Sequence, residues 1–100
     1  MDLEESEDKT YNVELDDAAA RDFNKLRAKA KDQVAKLIDS LEVNPYIGNV
    51  RQLSRYKGLY RKRTGDYRVI YKIDDDVLEV IVVAVGPRKD VYEILKRRIS

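Results

Sequence analysis

Three residue types are missing from this 100-residue chain, which contains no cysteine, no histidine and no tryptophan. Without cysteine, disulfide bonds and thiolate chemistry are excluded. Without histidine, Ser-His-Asp and Cys-His triads, HExxH zinc sites and paired-histidine ribonuclease chemistry are excluded as well. Any acid–base catalysis must therefore come from Asp, Glu, Lys, Tyr or Arg side chains.

Long apolar segments are also missing. The chain has no run of about 18 apolar residues that could cross a membrane, and it does not open with a basic and then apolar signal segment. We therefore expect a cytoplasmic protein without a membrane partner. The length of 100 residues indicates one domain with a thin core.

Charge is unevenly distributed along the chain, although the net charge is only +1. Residues 1–10 hold five acids and one base, whereas the other 90 residues hold 19 bases and 14 acids. We predict an acidic flexible tail at residues 1–10, either native or a remnant, and a single domain at residues 11–100. Residues 51–63 contain six bases and no acid. Such a cluster is typical of phosphate binding, and a solvated charged surface is the simpler alternative.

Hydrophobic periodicity predicts a strand and then helical structure in the first half of the chain. Residues 11–15 alternate apolar and polar side chains, as a half-buried strand does, and Asp16 or Asp17 can cap a following helix. An apolar stripe at steps of three and four then runs from residue 19 to residue 41. The stripe fits two helices or one long helix with a bend near residues 27–31, and Asn44-Pro45 ends it.

The second half is predicted to be rich in strands. Residues 59–64 and 67–73 form a hairpin around Thr64-Gly65, and residues 77–85 form an apolar strand buried on both faces. Residues 90–100 form a short terminal helix. The three acids at residues 74–76 suggest a metal site, but adjacent acids in a turn do not converge on one ion, so a solvated turn is favoured. The order of elements indicates an α+β domain.

Strand alternation groups the basic side chains of the hairpin. Arg61 and Arg63 share one face of their strand, and Lys62 lies on the other. A tight turn places Arg68 opposite or diagonal to the first pair. Three guanidinium groups on one face repel each other unless a polyanion binds there, and arginine forms forked hydrogen bonds to phosphate. The alternative is arginine stacked on tyrosine or paired with acids, of which the hairpin has only Asp66.

Three stretches together resemble the RelE/ParE superfamily of bacterial and archaeal toxins: "LIDSLEVNPYIG", "LSRYKGLYRKRTGDYRVIYKI" and "VIVVAVGPRKDVY". The resemblance covers residues 11–92. It implies a small twisted antiparallel sheet with an N-terminal helical hairpin packed on it and a short C-terminal helix, which favours two helices for the apolar stripe.

The resemblance also implies function. RelE-type members cleave messenger RNA in the ribosomal A site without a metal or other cofactor, whereas ParE-type members target DNA gyrase. Members of both types are neutralised by an antitoxin encoded beside them, here a RelB-like protein, and contact operator DNA only through the antitoxin complex. We therefore expect a ribosome-dependent mRNA endoribonuclease. The alternatives are a gyrase inhibitor and a ribosome-binding or RNA-binding inhibitor that does not cleave.

The active set of RelE-type members falls on five positions of this sequence: Arg61, Arg63, Arg68, Arg88 and Tyr92. Four further cations are predicted to bind RNA or the ribosome: Arg51, Arg55, Lys57 and Lys62. Taken without the resemblance, Arg88 reads as an exposed loop cation and Tyr92 as a core anchor. One departure matters, because well-known members have lysines where this chain has Arg61 and Arg63. Arginine is a poor general base, so the group that removes the proton is unassigned.

Overall fold

The fold is that of a computed structural model, which describes residues 10–99. The predicted acidic tail lies outside the described residues apart from residue 10. Eight elements follow in chain order: β1 Asn12–Leu15, α1 Asp17–Asn24, α2 Ala28–Val43, β2 Val50–Gln52, β3 Leu59–Thr64, β4 Tyr67–Asp74, β5 Glu79–Pro87 and α3 Val91–Ile99. No helix in this range is long and apolar enough to cross a membrane.

The apolar stripe is divided between two helices, as the resemblance predicted. Asp16 caps α1 by accepting a hydrogen bond from the Ala19 backbone N–H at 2.8 Å. The chain leaves helical geometry at Arg27, whose extended backbone precedes α2. No glycine or proline marks this break, and the stripe continues across it because both helices contribute to one core cluster. The second helix ends before Asn44-Pro45, as predicted.

The five strands form one sheet in the order β1-β5-β4-β3-β2. The α+β class is confirmed, with one correction to the expected antiparallel sheet: β1 pairs with β5 in parallel, so the sheet is mixed. The long connection through two helices and three strands returns β5 beside β1 in the same direction, while neighbouring strands β2 to β5 alternate in direction. The strand β2 was not predicted, because its three residues are too few to show alternation.

The predicted apolar strand begins two residues later than expected. The turn extends to Leu78, which adopts a left-handed φ of 52°, so Val77 is exposed and the strand starts at Glu79. As predicted, it occupies an interior position in the sheet, between β1 and β4. The pairing of β4 with β5 is irregular: Ile70 is opposite Ala84 and Tyr71 is opposite Val82, which leaves Val83 as a bulge.

The bulge changes which β5 side chains face each layer of the fold. Val82 belongs to the core beneath α1 and α2, whereas Ala84 belongs to the core beneath α3. The first core contains Ala19, Val34, Leu37, Leu41, Val69, Tyr71, Val80, Val82 and Val85. The second contains Leu59, Ile70, Ala84, Val91 and Leu95. Helices therefore cover both faces of the sheet, and α3 covers only part of its face.

Candidate nucleic-acid interface

Four arginines lie together on the α3 side of the sheet. Arg51 on β2 is directly opposite Arg61 on β3, and Arg63 on β3 is directly opposite Arg68 on β4. Strand alternation places Arg61 and Arg63 on the same face, so the predicted grouping of Arg61, Arg63 and Arg68 agrees with the strand register. We call Arg51, Arg61, Arg63 and Arg68 the cation cluster. Like charges directly opposite each other are unfavourable in a sheet, which indicates that an anion is expected there.

Tyr92 joins the cluster through Arg68. The Arg68 Nη1 donates a hydrogen bond to the Tyr92 hydroxyl at 3.1 Å, and its guanidinium carbon lies 5.9 Å from the centre of the tyrosine ring. The Nε atom of Arg68 is buried and has no hydrogen-bond partner among the described residues. A buried donor without a partner is costly, and an incoming ligand oxygen would satisfy it.

A glycine allows this contact. Gly86 lies opposite Arg68 in the β4–β5 register, and a methyl group built on it would be 3.3 Å from Ile94 Cδ1 and 3.8 Å from the Val91 backbone. A methyl group at this position would therefore require the tip of the Ile94 side chain to shift by a few tenths of an ångström. The close approach of α3 to the sheet brings Tyr92 next to Arg68.

The electrostatics of Arg61 reflect this crowding. Its pKa is lowered from the ordinary value chiefly by burial, and further by the positive charges of Arg68, Arg51 and Arg63, while Tyr92 acts in the opposite direction. No described carboxylate forms an ion pair with any member of the cluster, since the one such pair among residues 10–99 is elsewhere. A bound phosphate would relieve both the repulsion and the burial cost.

Two open grooves adjoin the cluster. One has a volume of about 420 Å³ and lies between residues 51–56 and α3, lined by Arg51, Arg55, Tyr56, Arg61, Tyr92 and Lys96, among others. The other, of about 440 Å³, is lined by residues 48–51 with Arg61 and Arg63. Their size suits a nucleotide, and the tyrosine rings offer surfaces on which bases can stack.

Three of the predicted residues, Lys62, Lys57 and Arg88, are not members of the cation cluster. Lys62 points to the opposite face, where its Nζ donates to the Ser40 hydroxyl on α2 at 2.9 Å, and burial lowers its pKa. Lys57 is exposed in the loop before β3. Arg88 is exposed and follows β5, and its backbone N–H donates a hydrogen bond to the Asp66 carbonyl at 2.7 Å. Its side of the molecule has a different cavity, which Arg88 lines together with Asp66.

Sequence reasoning missed two charged residues of the groove beside α3, Glu93 and Lys96. Lys96 is four residues after Tyr92, so helical spacing from Tyr92 could have identified it. Glu93 is an acid in an otherwise basic groove, and no signal in the sequence indicates its position.

The described residues contain no group of histidines, cysteines or acids that could hold a metal ion. The three acids at residues 74–76 are exposed, with Asp74 at the end of β4 and Asp75 and Asp76 in the turn that follows, so the favoured solvated turn begins one residue later than predicted. The Asp74 side chain accepts from the Asp76 backbone N–H at 3.0 Å, and Asp75 accepts from two tyrosine hydroxyls.

This combination of a five-stranded sheet, a helical hairpin on one face and clustered arginines beside a C-terminal helix is that of a small type II toxin of the RelE/ParE superfamily. The family model described as "ParE toxin of type II toxin-antitoxin system, parDE" matches residues 13–92. The chain therefore belongs to this family of toxins.

Several curated relatives carry RelE names. The chain is similar to "Toxin RelE" of Mycobacterium tuberculosis, with 31% identity over 94 residues that cover 89% of this chain and 93% of the relative. It is also similar to "mRNA interferase toxin RelE" of Escherichia coli K12, with 25% identity over 96 residues, 89% of this chain and 97% of the relative.

Solved structures share the fold. A toxin chain in the complex RelBE2 from Mycobacterium tuberculosis superposes with a TM-score of 0.70 at 29% identity, covering 79% of this chain and 99% of that chain. A mutant of the E. coli toxin RelE in the free state gives a TM-score of 0.71 at 25% identity, covering 91% of this chain and 99% of that chain. The archaeal RelE–RelB complex from Pyrococcus horikoshii gives 0.68 at 27% identity, with 79% and 96% covered.

Proposed function

We propose that this protein is a toxin that cleaves messenger RNA in the ribosomal A site without a metal ion and thereby inhibits translation. The observation that carries the proposal is the cation cluster, in which four arginines and Tyr92 lie on one face and no arginine forms an ion pair with a described carboxylate. Relatives named mRNA interferase support the same activity.

The reaction is attack of an RNA 2′-OH on the adjacent phosphorus. A bond forms between the 2′ oxygen and phosphorus, and the bond from phosphorus to the 5′ oxygen breaks. The products are a 2′,3′-cyclic phosphate and a 5′-OH, so the 2′ proton must leave and the 5′ oxygen must gain a proton. Negative charge grows on the phosphorane between these events, and fixed cations stabilise it.

The arginines divide this task by position. Arg61 and Arg68 hold the phosphate, because both are half-buried and Arg68 has a free Nε donor. The exposed Arg63, opposite Arg68 in the sheet, orients the nucleophile. Arg88, in the loop after β5, stabilises charge on the leaving 5′ oxygen, and its exposed side chain needs RNA or the ribosome to bring it to the scissile bond.

Tyr92 takes part in proton transfer. Arginine remains protonated and is a poor base, so Arg61 and Arg63 do not accept the 2′ proton. The Tyr92 hydroxyl already accepts a hydrogen bond from Arg68. As this hydroxyl passes its own proton to a phosphate oxygen of the substrate or to a ribosomal group, the cation would stabilise the phenolate oxygen, which takes up the 2′ proton. We assign Tyr92 to help deprotonate the 2′-OH, together with the substrate phosphate or a ribosomal group.

The proposed toxin activity implies two kinds of partner, an antitoxin protein and RNA. RelB-bound structures of related toxins support a cognate antitoxin for this chain. We propose that a RelB-like antitoxin neutralises the toxin and that operator DNA is contacted only through the complex of the two proteins. The exposed cations Arg51, Arg55 and Lys57 contact RNA of the message or the ribosome.

A gyrase inhibitor is the second candidate function, because the matching family model carries the ParE name. Primer extension on mRNA from translating ribosomes, with and without purified toxin and with a chelator present, distinguishes the two. A parallel gyrase supercoiling assay uses the same protein preparation. A-site cuts that persist in chelator, with supercoiling intact, support the proposal. Inhibited supercoiling without cuts would overturn it, and arrested translation without either effect would indicate a non-cleaving inhibitor.

A further inference from the structure

Four large apolar side chains are exposed at the end of the sheet where α2 stops. Val43, Tyr46, Ile47 and Val77 are 76%, 43%, 60% and 64% exposed. The first three lie at the end of α2 and in the loop that follows, and Val77 lies in the turn between β4 and β5. We call these four residues the apolar end patch. A cluster of exposed apolar side chains on a small protein usually marks an interaction surface.

Hydrogen bonds hold the segments of the patch together. Asp75 accepts from the Tyr11 hydroxyl at 2.6 Å and also from the Tyr46 hydroxyl. The Tyr11 backbone N–H donates to the Glu42 carbonyl at 2.8 Å, and the Tyr46 ring packs edge-on against Tyr60 at 5.7 Å. The patch is therefore a preformed surface, which lowers the entropic cost of binding to it.

The β4–β5 turn that carries Val77 is strained. Leu78 has a φ of 52°, a conformation that leucine rarely adopts, and its carbonyl accepts a hydrogen bond from the Asn12 backbone N–H at 2.8 Å. Strained backbone of this kind concentrates at functional positions. The conformation of Leu78 therefore agrees with a β4–β5 turn that presents Val77 to a binding partner.

The charges around the patch are mainly negative. Residues 37–50 and 73–87 supply every segment of the patch and contain six acids and no lysine or arginine: Asp39, Glu42, Asp74, Asp75, Asp76 and Glu79. Two lysines lie at the border of this acidic rim. Lys62 is beside Gly48, with its ammonium group bonded to Ser40, and the exposed Lys72 lines one cavity with Asp74, Asp75, Asp76 and Glu79. An acidic rim repels RNA and anionic lipid, and it also repels a second copy of the same surface.

We propose that the apolar end patch is the docking surface for a segment of the cognate antitoxin that carries apolar side chains flanked by lysine or arginine. The apolar residues of that segment bury Val43, Tyr46, Ile47 and Val77, and its cations face the acidic rim. The proposal rests on the antitoxin partnership given under the proposed function, and it assigns that partner a surface other than the cation cluster. Docking there anchors the antitoxin without itself covering the arginines.

The test titrates purified toxin with the protein encoded by the adjacent antitoxin gene. Ile47→Ala removes an apolar contact, and we expect it to raise Kd about 10-fold or more, as loss of a central apolar contact does. Asp76→Lys reverses one rim charge and should raise Kd about 3-fold to 10-fold at about 0.1 M salt, and less at about 0.5 M salt. Asp32→Lys makes the same charge change at an exposed position near the start of α2 and is the matched control.

Each result has a defined meaning when the variants unfold at the same urea concentration as the wild type. Binding by Ile47→Ala and Asp76→Lys that equals binding by Asp32→Lys overturns the docking surface and leaves the antitoxin partnership standing. Failure of the wild-type toxin to bind the antitoxin overturns the partnership and the docking surface together. Self-association or ribosome binding that is lost in the two variants, with antitoxin binding unchanged, assigns the patch to that other partner and contradicts the proposal.

Discussion

The side chain of Asp22 connects three elements of the fold, and its removal is expected to destabilise the protein strongly. Its carboxylate accepts from Arg98 Nη1 at 2.8 Å, from Arg98 Nη2 at 2.7 Å and from the Val85 backbone N–H at 3.1 Å. Arg98 also donates to the Val83 carbonyl at 2.9 Å. These hydrogen bonds join α1 and α3 to the part of β5 that contains the bulge. This part of β5 follows Val82, the last residue of β5 that pairs with β1.

The magnitude follows from the burial of the pair. Hydrogen bonds to charged groups contribute about 1.5–3 kcal/mol when they are shielded from water. The side chains of Arg98 and Asp22 are 29% and 10% exposed, so values near the lower end apply to the fork between them. Asp22→Ala also leaves the Val85 N–H without its acceptor. We expect the free energy of unfolding to fall by about 2–3 kcal/mol in total.

Urea unfolding followed by circular dichroism measures this loss, and a double-mutant cycle with Arg98→Ala isolates the pair. The coupling energy should be about 1 kcal/mol or more, because the two side chains meet in a forked geometry. Asp32→Ala, at an exposed position on α2, is the control and should change stability by less than about 0.5 kcal/mol. If Asp22→Ala is no more destabilising than this control, the reasoning is refuted.

Two further predictions concern tyrosine protons and glycine packing. The hydrogen bond to Asp75 raises the pKa of Tyr46, and burial raises that of Tyr71, so the folded state holds these protons more tightly than the unfolded chain. The resulting stabilisation is complete below the ordinary tyrosine pKa of about 10 and is lost as the pH rises above it. The free energy of unfolding should therefore decline above about pH 10, and it should decline less steeply in Tyr46→Phe. An equal slope in this variant and the wild type would contradict the assignment. Gly86→Ala places a methyl group 3.3 Å from Ile94 Cδ1, so the Ile94 side chain must shift within a packed contact, and we expect the free energy of unfolding to fall by about 1 kcal/mol. A urea titration that shows equal or greater stability would argue against this packing.

Local patterns predicted much of the fold and the core of the candidate site. Side-chain alternation is a property of any strand, so the grouping of Arg61 with Arg63 and the separation of Lys62 followed from the sequence alone. The cap at Asp16 and the helix end at Asn44-Pro45 followed from equally local chemistry.

Features that depend on contacts distant in sequence could not be predicted in this way. The parallel pairing of β1 with β5, the bulge at Val83 and the contribution of Glu93 to the groove arise from how separate elements pack. The left-handed turn at Leu78 was missed for a related reason. Steric repulsion at Cβ disfavours this conformation in leucine, so contacts with neighbouring residues must hold it there.

The cleavage rate of Arg61→Ala on translating ribosomes tests the central claim most directly. Arg61 is a half-buried member of the cation cluster, and its pKa is lowered by burial and by all three neighbouring arginines. Lys36→Ala removes an exposed cation from α2 and is the control. Under single-turnover conditions we expect Arg61→Ala to lower the rate of A-site cleavage by about 10²–10³-fold, as loss of one electrostatic group typically does, while Lys36→Ala leaves it unchanged. Equal rates for a folded Arg61→Ala variant and the wild type would contradict a catalytic role for the cation cluster.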